Sequence, residues 1–109
     1  MQIINDTEVF EPNECFFCVS TDPENPGGTM VSITDKEYWN SDNFLNDGIG
    51  DHSFSRDLIR KMADDGITNA MEAIWTSESP LDEVRTQMLS YGFQESKEMY
   101  EAIDEWSEQ

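Results

Sequence analysis

Cys15-Phe16-Phe17-Cys18 has the spacing of a redox or zinc-binding cysteine pair. A redox pair places its first thiol at a helix N-terminus, where the pKa falls. Here the neighbours Phe16, Phe17 and Val19 favour a strand. Residues three apart in a strand point to opposite faces, with Cα atoms roughly 10 Å apart, beyond the reach of a disulfide. A structural zinc site needs four nitrogen or sulfur ligands, and the chain adds only one histidine, His52. The expectation is two unpaired, partly buried thiols, with no metal and no cofactor.

The other candidates for chemistry fail on similar grounds. Placing Gly48 on the invariant glycine of an EF-hand calcium loop puts Leu45 on a ligand position and Phe54 where a bidentate Glu belongs. His52 has Asp51 and Ser53 beside it in sequence, an arrangement that rarely forms a nucleophile–base relay. Pro26-Gly27-Gly28 lacks the spacing and the lysine of a phosphate loop. Direct nucleic-acid binding calls for many Lys and Arg against phosphates, and only Arg56, Arg60 and Lys61 cluster. These residues do not assemble an active site, and the chain is read as a binding protein, not an enzyme.

Carboxylates are what the chain has in excess. Twenty-four Asp and Glu face six Lys and Arg, a formal net charge of −18 over 109 residues. Self-repulsion of this size opposes compaction. It serves solubility, a high-salt setting, or a basic partner. The C-terminal stretch gives the charge a location. Over a helix from about Glu95 to Trp106, Met99, Ile103 and Trp106, with Tyr100 at the edge, form an apolar stripe spanning about 120°. Glu95, Glu98, Glu101, Asp104, Glu105 and Glu108 lie opposite, with Lys97 the only basic residue among them. Solvated helix faces usually mix both signs. Successive turns place carboxylates about 5 Å apart, against one phosphate per about 3.4 Å along a DNA strand. Asp42, Asp47 and Asp51 supply a second patch, and Tyr38 and Trp39 are aromatics able to stack on a partner.

In size and charge alone, the chain is similar to small phage-encoded inhibitors of restriction or CRISPR nucleases that imitate DNA. No motif is shared, so no residue role is carried over. The likeness implies a DNA- or RNA-mimicking inhibitor of a basic nucleic-acid-binding protein, encoded by a phage or mobile element. The alternative is an interaction module whose aromatic loop, Tyr38 to Phe44, is the anchor while the charge serves solubility.

The elements that would position these residues follow from periodicity. Cys15–Val19 and Thr29–Thr34 flank the turn-rich Asp22–Gly28 and read as a hairpin with a long loop. Ile3–Phe10 reads as an edge strand. Asp35 is expected to cap a short helix through Trp39. Phe54, Leu58, Ile59 and Met62 recur at helical spacing after Ser53 or Ser55, and Gly66 stops that helix. Thr68–Thr76 alternates as one strand. Ser79-Pro80 opens a helix that Tyr91-Gly92-Phe93 closes. The fold class expected is α+β: a small antiparallel sheet, the N-terminal hairpin plus one or two further strands, packed against three to four helices.

One domain over residues 1–109 suits the length. The aromatic share of 11% favours a folded core over a disordered acidic tail. Met1 to Phe10 lacks the basic and apolar regions of an export signal, and no apolar run nears the roughly 20 residues of a bilayer span. A cytoplasmic location without membrane association is expected, in the host cytoplasm if the chain is phage-encoded. These features set neither the oligomeric state nor the strand order.

Overall fold

The computed structural model describes residues 2–37, 49–71 and 74–107, the side chains of 103–107 excepted. It is a mixed α/β fold with three helices and two sheets among these residues. Strands β1 (Gln2–Ile4) and β2 (Thr7–Val9) form a separate antiparallel hairpin, with Ile3 opposite Glu8. Asn5 and Asp6, at φ 52° and 64°, make its two-residue turn, and Asn and Asp tolerate that left-handed backbone better than most residues. The single edge strand expected over Ile3–Phe10 is therefore two strands, and they lie outside the main sheet.

That sheet is built on the expected central hairpin, β3 (Cys15–Thr21) and β4 (Thr29–Asp35), paired antiparallel from Cys15 opposite Asp35 to Thr21 opposite Thr29. After helix α1 (Arg56–Asp64) come β5 (Thr68–Met71) and β6 (Ile74–Ser77), two antiparallel strands where one was expected. Helix α2 (Leu81–Tyr91) leads to β7 (Gln94–Glu95), and helix α3 (Lys97–Ser107) ends the described chain. The order is β5-β6-β4-β3-β7, with β7 parallel to β3 and the other pairs antiparallel. A five-stranded mixed sheet thus replaces the smaller antiparallel one.

Alternation along the strands makes two cores. Phe17, Val19, Val31, Ile33 and Trp75 face one side, where Met62 of α1 and Val84 and Met88 of α2 cover them together with Phe54 and Phe93. Each fully buried large side chain stabilises the fold by about 1.5–3 kcal/mol. The indole of Trp75 is not left unsatisfied: its Nε1 donates to the Ile49 carbonyl at 3.1 Å. On the opposite side Cys18, with Phe16, packs against Met99, Ala102 and Tyr100 of α3. The molecule is layered, with α1 and α2 on one face of the sheet and α3 on the other.

Helix ends follow local chemistry. The Ser55 hydroxyl accepts from the Leu58 amide at 3.2 Å and caps α1. Pro80, not Ser79, stands at the N-cap of α2. Ser79 instead offers its carbonyl to the buried Thr29 hydroxyl at 2.8 Å. Gly92, at φ 107°, ends α2 in the left-handed conformation that glycine adopts without steric cost. Asp35 accepts from the Glu37 amide at 3.0 Å, but the short helix expected beyond it lies outside the described residues. No helix among the described residues is long and apolar enough to cross a membrane.

Candidate functional site

The acidic helix begins two residues later than its periodicity predicts. Residues 94–95 pair with Phe16 and Phe17 of β3, and the Ser96 amide donates to the Phe17 carbonyl at 3.0 Å. The Ser96 hydroxyl then accepts from the Met99 amide at 3.3 Å, so α3 starts at Lys97. Met99 is fully buried, with its sulfur 4.0 Å from the Thr34 hydroxyl, and Ala102 is buried one turn on. Docking of this stripe leaves Lys97, Glu98 and Glu101 exposed.

Glu95 departs from the expected ridge. It belongs to β7, and its side chain is only 21% exposed. Arg85 Nε donates to both of its oxygens, at 2.7 and 2.9 Å, and the Tyr100 hydroxyl donates to Oε2 at 2.5 Å. Hydrogen bonding from Arg85 holds its carboxyl below the usual carboxylate range, against a smaller opposing effect of burial. The Tyr100 phenol is pushed up, first by burial and then by its bond to Glu95. Its oxygen also accepts from the Val19 amide at 3.2 Å. Glu95 therefore ties α2, β7, α3 and β3 together and presents no free carboxylate.

The remaining candidates divide into three groups. Glu98 and Glu101 are brought together on the outer face of α3. Asp104 and Glu105 occupy later positions of the same helix; at about 100° per residue Glu105 falls between those two and Asp104 about 60° beyond Glu101, with side chains beyond what is described. Tyr38, Trp39, Asp42, Asp47 and Glu108 lie outside the described residues. Asp51 is exposed in a short 3-10 turn, Asp51–Ser53, beside Phe54 of the first core. That puts it in the layer on the far side of the sheet from α3. Glu78, Asp82 and Glu83, around the start of α2, are also exposed.

The cysteines behave as their strand setting requires. Cys15 is buried in the first core and Cys18 in the second, both as free thiols. Burial is the main cause that pushes each thiol up to about 12, helped at Cys15 by the nearby Asp35 carboxylate. A thiol so rarely ionised is a poor nucleophile and a poor metal ligand. Among the described residues no group of three His, Cys, Asp or Glu could hold a metal ion.

Comparison with protein-family models, with curated proteins and with solved structures gives no match.

Proposed function

We propose that this protein is an acidic binding protein that inhibits a nucleic-acid-binding protein by standing in for the phosphates of DNA or RNA. The observation that carries the reading is the pairing of a −18 charge with a helix docked by buried Met99 and Ala102. Glu98 and Glu101 face outward from it, and Lys97 is the single base in its sequence. A partner whose groove is lined with Lys and Arg would meet carboxylates spaced about one helical turn apart, slightly sparser than a DNA strand. Release of counterions from both surfaces would drive association, as it does for DNA.

The partner class is a basic nucleic-acid-binding protein. The setting proposed is anti-defence, with the chain encoded by a phage or mobile element and acting in the host cytoplasm. Glu98 and Glu101 are the first phosphate surrogates, continued by Asp104, Glu105 and Glu108. Asp42, Asp47 and Asp51 are proposed as a second patch, with Trp39 and Tyr38 adding a stacking contribution. Glu95 is reassigned to positioning. The test is the salt dependence of partner binding. Affinity should fall at least about tenfold between about 50 and about 200 mM salt. A salt-independent affinity would contradict the reading.

A further inference from the structure

Arg56 and Arg60 stand out against the charge balance. In a chain with four acids for every base, arginines should find carboxylates. Arg85 does so with Glu95, while Lys61 lies over the Tyr91 ring and Lys36 over the Phe16 ring, each at 5.4 Å. Arg56 and Arg60 make no ion pair among the described residues. Yet Asp64 is four residues beyond Arg60 on the same helix, where a pair could form. Arg56 also occupies the first position of α1, where a cation opposes the helix dipole. Two local preferences are set aside at one place.

Both arginines line one cleft of about 580 Å³, together with His52, Phe54, Ile59 and Asp51. Its apolar floor comes from Phe54 and Ile59, buried and half-buried. The imidazole of His52 lies against Gly50, where even a Cβ would come within 3.3 Å of Nδ1. Guanidinium forks four residues apart are neighbours on a helix face and match the oxygens of a phosphate or carboxylate in bidentate fashion.

We propose that the cleft formed by His52, Phe54, Arg56, Ile59 and Arg60 binds a phosphomonoester carried on a small apolar body. Neither guanidinium is held in an ion pair among the described residues. The charge of about −1.5 to −2 on a phosphomonoester near neutral pH is enough to engage both of them against the single Asp51 carboxylate in the lining. A carboxylate has two oxygens, enough for one guanidinium fork, whereas the three terminal oxygens of a phosphomonoester can serve both. The floor of Phe54 and Ile59 takes the apolar body. Asp57 and Asp64, on the same helix, weaken the attraction from outside the cleft lining, while exposed acids more than about 8 Å away are largely screened at physiological salt.

The test is an NMR titration of the full ¹⁵N-labelled chain with phenyl phosphate, inorganic phosphate and benzoate. Phenyl phosphate should give saturable amide shifts centred on His52 to Arg60, with a Kd of about 1 mM or tighter. Inorganic phosphate and benzoate should each bind at least about fivefold more weakly, the first lacking the body and the second a charge. The double variant Arg56→Gln/Arg60→Gln, at two exposed positions, should keep the native spectrum and lose at least about tenfold in affinity. Non-saturating shifts, shifts centred elsewhere, equal binding of inorganic phosphate or benzoate, or an unchanged Kd in the double variant would each overturn the proposal.

Discussion

The Tyr100 hydroxyl donates to Glu95 at 2.5 Å while accepting the Val19 amide, so one phenol ties the acidic helix to strand β3 of the sheet. Glu95, expected among the exposed carboxylates, stands with Met99 and Ala102 at i, i+4 and i+7, the spacing of the docked face, and this contact makes it part of the scaffold. It also divides the acidic residues by role: Glu95 positions α3, and Glu98 and Glu101 face solvent.

Glu95→Gln is expected to lower stability with a definite pH signature. The folded carboxyl is held below its ordinary range, so its contribution is present above the unfolded value of about 4.3. That contribution disappears as pH falls through the folded value. Urea midpoints of wild type and variant should differ at pH 7 and converge below about pH 4. A constant gap across that range would show that the lost charge is not the cause.

The division of roles shows what the sequence makes legible. The β3–β4 hairpin is readable because Val31 and Ile33 alternate with Met30, Ser32 and Thr34 beside a loop dense in Pro and Gly. Ser55, Gly66 and Gly92 mark helix ends by local chemistry that needs no partner. Strand β7 is not readable, because its two residues are strand only through pairing with β3, almost eighty positions away. The Arg85–Glu95 pair, only ten positions apart, is hidden with it, because Glu95 is placed by β7. The β5–β6 hairpin is concealed because Glu72-Ala73 carries neither the Gly nor the Asn of a turn signal. At the N-terminus the signal exists: Asn5-Asp6 between Ile3-Ile4 and Glu8-Val9 is hairpin chemistry, and length alone makes it look like one strand.

Cys15 and Cys18 should resist thiol reagents in the native state. With both thiols pushed up to about 12, only about one in ten thousand is ionised at pH 8, and both are buried besides. Labelling with a chromogenic disulfide should be slow natively and release two equivalents in denaturant. One equivalent released within seconds under native conditions would contradict the assignment of either thiol to a core.

Met99→Ala should cost about 2–5 kcal/mol of unfolding free energy, the range for emptying a fully buried aliphatic site. The loss comes from the second core alone, so near-UV signals from Trp75 in the first core should persist below the unfolding midpoint. A loss below about 1 kcal/mol would mean that α3 is not docked through Met99.

The central claim is that the carboxylates of α3 act as phosphate surrogates, and charge placement tests it most directly. Glu98→Lys/Glu101→Lys and a control, Glu8→Lys/Glu24→Lys, each move the formal charge from −18 to −14, because every reversal changes it by two. Each chain would be immobilised and exposed to a bacterial lysate, and the bound protein eluted with a salt step or with duplex DNA or RNA. Wild type and control should retain a basic nucleic-acid-binding protein that salt and nucleic acid both release, and the α3 variant should retain at least about tenfold less. Equal retention by the α3 variant, or a captured protein that nucleic acid fails to displace, would contradict the account.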